Sequence, residues 1–295
     1  MGFRPFIYRL AKTHNLKGSV VNLGDAGVKI IIQGENREIQ RFLQDLKNKA
    51  PPMARVDEIK TEEVKKESPF DGFHIKRSEQ ERENQGSIIP PDVGICDECM
   101  KELFDPNDRR YLYFFITCTN CGPRFTIINS LPYDRERTSM TTFEMCDECR
   151  GEYTNPNNRR FHAQTVACHT CGPKAMLLDK KGVELSDSSV DALKKTSKLL
   201  MEGNIVAVKG NGGFHIACNA EEDEVVNKLR RLLGREQQPF AIMSRNLDVT
   251  EGFAYVSEEE KKLLTSSVKP IVVLKKKEDF EQYLSKNVSP GLHTI

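Results

Sequence analysis

The chain has 295 residues, 38% of them apolar and 29% charged, and 44 basic side chains against 43 acidic ones leave a net charge of +1. Its length exceeds one ordinary domain and predicts two or three. The balanced charge excludes a global field that draws nucleic acid or an anionic membrane, and no apolar run reaches the length that spans a bilayer.

Phe6, Ile7, Leu10 and Ala11 recur at helical spacing behind Pro5, so residues 5–15 are expected to form an amphipathic helix. Residues 17–34 read as two strands joined by a tight turn at Gly24-Asp25-Ala26-Gly27. Ile39, Phe42, Leu43 and Leu46 form a second helical stripe that ends near Pro51-Pro52. Residues 54–64 and 72–78 are predicted strands, and the polar run 78–87 reads as a linker. The order α-β-β-α-β-β is a ferredoxin-like pattern without its opening strand.

These residues resemble acylphosphatase. Gly2-Phe3-Arg4 matches the end of that family's first motif. Gly18 and Asn22 match its Gly-x-x-x-Asn motif, with Val28 and Gly34 also in place. The resemblance implies that Arg4 holds the phosphate of an acyl phosphate and that Asn22 positions the attacking water. A guanidinium suits the first role because it meets phosphate as a two-pronged fork. Two departures stand out: Met1 falls inside the family's phosphate loop, and Ser19 replaces an aromatic. The expectation for residues 1–85 is a truncated domain whose central first strand is absent.

Eight cysteines dominate the middle of the chain: Cys96, Cys99, Cys118, Cys121, Cys146, Cys149, Cys168 and Cys171. Each half reads C-x2-C, eighteen residues, C-x2-C, and an offset of 50 carries every cysteine of the first half onto one of the second. Cys-Asp-Glu-Cys, the Arg-Arg pair and Cys-Gly-Pro repeat at the same offset, which marks a duplicated unit over residues 90–182. Two knuckles per half supply four soft ligands, the donor set of a closed, structural zinc site. Disulfides belong to oxidising compartments, and the N-terminus lacks the apolar core of a secretory signal. The paired thiols are therefore expected in a reducing cytoplasm. Gly122 and Gly172 follow the second knuckles, where a positive φ is expected.

Arg109, Arg110, Arg159 and Arg160 read either as a nucleic-acid surface or as a structural pair copied with the unit. The balanced overall charge favours the second reading. His162 and His169 each compete with four nearby cysteines, so positions outside the ligand set are expected.

In the last third, residues 189–203 and 222–234 are predicted helices, and Gly203 fits a helix stop. Residues 204–209 are expected as a buried strand running into a glycine loop. Residues 239–245 and 270–277 read as short strands, with a helix at 257–267 between them. Lys209, Gly210, Gly212, Gly213 and His215 form a loop whose glycines admit a close phosphate and whose lysine adds charge. The stretch resembles the YrdC/Sua5 family, which binds ATP and makes carbamoyl adenylates. Arg235 and Pro239 match that family's Lys-x-Arg-x-x-Lys-Pro pattern, while Leu233 and Gln238 replace its lysines. Residues 188–295 are expected as a partial YrdC-like α/β domain, since a complete one continues with more strands.

The three parts in this order resemble the HypF-type carbamoyltransferases of nickel–iron hydrogenase maturation. The expected architecture is α+β and multidomain: a truncated ferredoxin-like acylphosphatase domain, a duplicated four-cysteine zinc-finger module and a partial YrdC-like domain. The resemblance implies carbamoyl phosphate and ATP as substrates, two structural zinc ions, and transfer to a HypE-type partner by a further domain. A zinc-containing module that binds double-stranded RNA, and a simple acylphosphatase, are the alternative expectations.

Overall fold

The computed structural model describes residues 2–23, 27–51, 54, 56–64, 70–76, 89–131 and 133–295. The expected turn at 24–26, Pro52 and the linker at 78–87 lie outside the described residues. The chain divides into two compact units, Met1–Pro173 and Lys174–Ile295.

The first unit opens with α1 (Phe3–Thr13), β1 (Lys17–Asn22), β2 (Val28–Gln33), α2 (Asn36–Asn48) and β3 (Phe73–Ile75). Strand β1 lies in the middle of the sheet, antiparallel to β2 and parallel to β3. The helical stripes predicted from the sequence form one core on this sheet. Ile7, Leu10 and Ala11 of α1, Val20 of β1, Phe42 and Leu46 of α2 and Phe73 of β3 are all buried in it. Gly18 is required here: its φ is +142°, and a Cβ would lie 1.9 Å from the Ile31 carbonyl oxygen on β2. His14, just past α1, sets its two ring nitrogens against Glu38 and Asp45 of α2 at 3.1 and 3.0 Å, tying the helices together.

The strand expected at 54–64 does not form among the described residues. Its half-buried apolar residues, Ala54, Val56 and Ile59, do not keep the two-residue alternation of a half-buried strand past Val56. Ile59 packs at the margin of the helix–sheet core and the charged pair just before it faces solvent.

The duplicated region carries two short helices, α3 (Asp97–Phe104) and α4 (Asp147–Thr154), among turns. The copies match in detail. Asp105 and Asn155 each accept from the backbone N–H two residues on, and Leu112 and His162 both sit at φ +56°.

The second unit contains α5 (Ser189–Met201), β4 (Val206–Lys209), β5 (Phe214–Ala217), α6 (Asp223–Leu233), α7 (Leu247–Phe253), β6 (Ala254–Tyr255), α8 (Glu258–Thr265) and β7 (Lys275–Lys276). Gly203 and Gly234 end α5 and α6 with φ of +75° and +61°, as the helix-stop pattern requires. Ser257 and Glu260 close a reciprocal capping box on α8. Strand β4 is not buried: it forms an antiparallel hairpin with β5, and Ala207, Val208 and Lys209 are exposed. Residues 239–245 form no strand, and of 270–277 only Lys275–Lys276 pair, with β6. A strand needs a neighbouring ladder as well as an apolar sequence. Here Leu274 finds its backbone partner in Ile295, while Ile271 and Val273 remain exposed.

Candidate metal centres and flanking sites

Local sequence builds each cysteine cage. Cys96 precedes α3 and Cys99 lies in its first turn; Cys146 and Cys149 stand in the same relation to α4. The second knuckles, Cys118–Cys121 and Cys168–Cys171, bring two more sulfurs to each cage. In both sets all four Sγ atoms lie within 4.8 Å of one another. Gly122 takes the expected positive φ, +100°, but Gly172 does not. Gly172 answers to space instead, since a Cβ there would meet the Tyr113 hydroxyl at 2.0 Å.

The cages fit zinc. Neighbouring sulfurs are 3.5–3.8 Å apart, and a tetrahedron with zinc–sulfur bonds of about 2.3 Å has edges of about 3.8 Å. A disulfide needs about 2.05 Å. Four thiolates held this closely repel one another until a cation joins them. Burial pushes the Cys149 thiol up. Burial also raises Cys168, but the backbone N–H groups of Cys171 and Thr170 bring it down to about 6. All eight predicted ligands are thus assembled as two four-cysteine sets, buried or half-buried.

The four arginines face inward and cross between the repeats. Arg109 of the first repeat donates to Cys149 Sγ of the second at 3.2 Å. Arg110, 1% exposed, forks onto Glu152, gives Nε to the Ala167 carbonyl at 2.8 Å and approaches Cys149 Sγ at 3.5 Å. The second repeat reciprocates. Arg159 donates to Cys99 Sγ at 3.1 Å and to Glu102 at 2.6 and 2.9 Å. Arg160 pairs with Glu102 and gives Nε to the Thr117 carbonyl at 3.0 Å. These contacts bear out the structural reading of the arginine pairs. Glu102 and Glu152 complete the clamp, and the sequence does carry a signal for them: they too recur at an offset of 50.

Burial works to raise the Glu102 carboxyl, but Arg159 and Arg160 outweigh it and hold it at about 2. A depressed carboxylate contributes stability above its unfolded value of about 4.5, and that contribution is lost as pH falls toward 2. The stability gap between the wild type and Glu102→Gln is therefore expected to be widest near pH 7. It should close between about pH 4.5 and 2, read by urea unfolding at each pH.

His162 packs against the rings of Tyr153 and Phe161 at 5.1 and 4.5 Å. His169 sets Nε2 2.9 Å from the Tyr111 carbonyl oxygen. Neither belongs to a cage.

Arg4 lies in the first turn of α1, which Gly2 opens at φ +69°. Its Nη2 is 4.0 Å from Asp134 of the duplicated region. Burial and the Arg4 charge together hold the His162 imidazole below its ordinary value, with Asp134 pulling the other way. Asn22 ends β1 opposite Val28, and its side chain lies outside the described residues. In the second unit Gly210 donates to the Gly213 carbonyl at 2.8 Å, so the glycine loop is a tight hairpin turn. Lys209 lies over the Phe214 ring at 4.9 Å, and His215 is exposed on β5. Arg235 follows α6, where its carbonyl accepts from Arg230 at 2.9 Å. No hydrogen bond or ion pair among the described residues joins it to the Lys209–His215 hairpin.

Comparison with known proteins agrees with this layout. The sequence matches the acylphosphatase family over residues 1–75, the HypF finger over 95–128 and 145–178, and the family described as "Telomere recombination" over 198–295. It is 55% identical over 295 residues to a probable carbamoyltransferase HypF of Methanocaldococcus jannaschii, covering all of this chain and 38% of that protein. It is 47% identical over 292 residues to carbamoyltransferase HypF2 of Cupriavidus necator, covering 99% of this chain and 36% of that one. The structure of full-length HypF in a phosphate- and nucleotide-bound form superposes with a TM-score of 0.88 at 43% identity, over all of this chain and 37% of that one. The structure of T. kodakarensis HypF gives 0.80 at 50% identity, with the same coverage. The chain thus spans little more than a third of the length of these relatives. With its acylphosphatase, cysteine-finger and Sua5/YrdC parts matched in order, the chain belongs to the HypF carbamoyltransferase family and corresponds to its N-terminal region.

Proposed function

We propose that this chain is the part of a carbamoyltransferase that handles carbamoyl phosphate and ATP. In this reading Arg4 and Asn22 serve hydrolysis of the acyl phosphate. Lys209, Gly210, Gly212, Gly213, His215 and Arg235 serve a nucleotide during carbamoyl adenylate formation. Two zinc ions hold the finger module, and a HypE-type protein in the cytoplasm receives the carbamoyl group from a further domain. The observation that carries the proposal is a match at 55% identity along the whole chain to a probable carbamoyltransferase. Among the described residues no helix is long and apolar enough to cross a membrane.

The Arg4 guanidinium would bind the phosphoryl oxygens as their charge grows, which is the kind of contact that lowers a barrier. Asn22 would hold water through its side-chain amide. Phosphate release from carbamoyl phosphate is the test. Arg4→Ala is expected to lower kcat/KM by about 10²-fold or more. Release that proceeds unchanged in Arg4→Ala contradicts the assignment. Carbamoylation of a HypE-type protein is not expected from this chain alone, and its appearance with carbamoyl phosphate and ATP would overturn the need for a further domain.

A further inference from the structure

The cross-repeat arginines have a consequence for the metals themselves. A zinc ion with four thiolates carries a net charge of about −2, and burying such a charge is costly unless cations and N–H donors compensate it. Each cage draws that compensation from the other repeat. Arg159 reaches Cys99 from the turn between the two knuckles of the second cage, 3.1 Å away. Arg109 reaches Cys149 from the corresponding turn of the first cage at 3.2 Å.

The turns that present these arginines are fixed by contacts that also cross. Thr119, next to Cys118, donates its hydroxyl to the Arg159 and Phe161 carbonyls at 2.9 and 3.1 Å. The Thr117 and Thr165 hydroxyls meet at 3.0 Å. Arg110 and Arg160 are nearly inaccessible, and each binds a carbonyl beside the opposite repeat's second knuckle. Glu152, three residues after Cys149 on α4, holds Arg109 and Arg110; Glu102, three after Cys99 on α3, holds Arg159 and Arg160. Emptying one cage frees the helix that carries its glutamate and the turn that carries its arginines. Both are what the other cage leans on.

We infer that the arginine pairs make the two metal sites one cooperative unit, each pair acting as the outer partner of the opposite repeat's metal. The inference rests on zinc occupying the cages. Groups that hydrogen-bond to metal ligands typically change metal affinity by about 10- to 100-fold when removed. Here the loss should fall on the cage that the mutated residue touches, which is not the cage whose loop it occupies.

The test is site-resolved thiol labelling of the full, zinc-loaded chain. The protein is challenged with EDTA in the presence of N-ethylmaleimide, and labelled cysteines are identified by peptide mass spectrometry. Arg159→Gln should speed labelling of Cys96, Cys99, Cys118 and Cys121 by about 10- to 100-fold relative to wild type, with Cys146, Cys149, Cys168 and Cys171 labelled after them in the same time course as the second cage follows the first. Arg109→Gln should reverse the order. Arg159→Lys, which keeps the charge and loses the fork, should lie between wild type and Arg159→Gln. Native mass spectrometry of the wild type, which needs no variant to fold, should show two-zinc chains passing to zinc-free chains with the one-zinc form scarce. Labelling that speeds most in the mutated residue's own cage, or not at all, overturns the inference, as does an accumulating one-zinc form. A reduced chain that binds no zinc overturns the zinc reading and this inference together. A chain that holds two zinc ions but lacks the cross pattern overturns the inference alone.

Discussion

Cys118→Ser is expected to cost the chain at least the first zinc ion and the order of residues 93–128. Cys118 is 1% exposed, and Cys99 and Cys121 are fully buried. The core of this region is small: Tyr113, Phe115, Ile116, Ile127, Met140 and Ala167 pack around the sulfurs themselves. Helix α3 has only eight residues, too short to persist without tertiary support. Structural zinc contributes about 10–16 kcal/mol of apparent free energy in small finger peptides, comparable to the whole stability of an ordinary domain, about 5–15 kcal/mol. Metal analysis should find at least one fewer zinc per chain, and limited proteolysis should cut between residues 96 and 128. Cys218→Ser is the control. That thiol is half-buried in the second unit, outside both cages, and its loss should leave the zinc content unchanged.

The second large effect is expected at Arg110. Its guanidinium is buried against Glu152, the Ala167 carbonyl and Cys149. Arg110→Ala leaves Glu152 facing Arg109 at 3.5 Å and Arg160 at 3.8 Å, and it orphans a buried carbonyl. Glu152 keeps those two partners, so the loss comes chiefly from the orphaned Ala167 carbonyl, about 1–3 kcal/mol for a buried polar group left without its partner, and that loss is expected in urea unfolding. Arg150→Ala should cost far less, since Arg150 is exposed and meets an exposed Glu144 at 3.7 Å and the Met145 carbonyl at 3.4 Å, and an exposed ion pair is worth about 0–1 kcal/mol. Equal losses for Arg110→Ala and Arg150→Ala would mean that the cross-repeat clamp carries no special weight.

What could be read from the sequence was local. The stripe Phe6-Ile7-Leu10-Ala11 fixes which side of α1 meets the sheet, because a helix repeats every 3.6 residues whatever surrounds it. Gly203 marks a helix end through its own backbone freedom. The eight cysteines announce two cages because C-x-x-C sets two sulfurs on one turn, and the offset of 50 then pairs the knuckles.

Pairing between distant residues was not legible. Residues 239–245 and 270–274 have the composition of strands, yet a ladder depends on what lies alongside, and Leu274 pairs only with the far end of the chain. Gly172 resembles Gly122 in sequence but owes its identity to Tyr113, fifty-nine positions away. The Arg-Arg pairs look alike on paper, and nothing in one repeat says that its partner acids stand in the other. The same limit applies at Arg4. The motif names the residue, but only the fold sets it 4.0 Å from Asp134 of the finger region.

Zinc and chain concentrations measured together on freshly purified, reduced protein give the most direct check on the account. Two tetrathiolate cages require close to two zinc ions per polypeptide, with all eight cage thiols shielded from a thiol reagent until the metal is stripped. A zinc content near zero, or cage thiols that react freely in the metal-loaded protein, would contradict it.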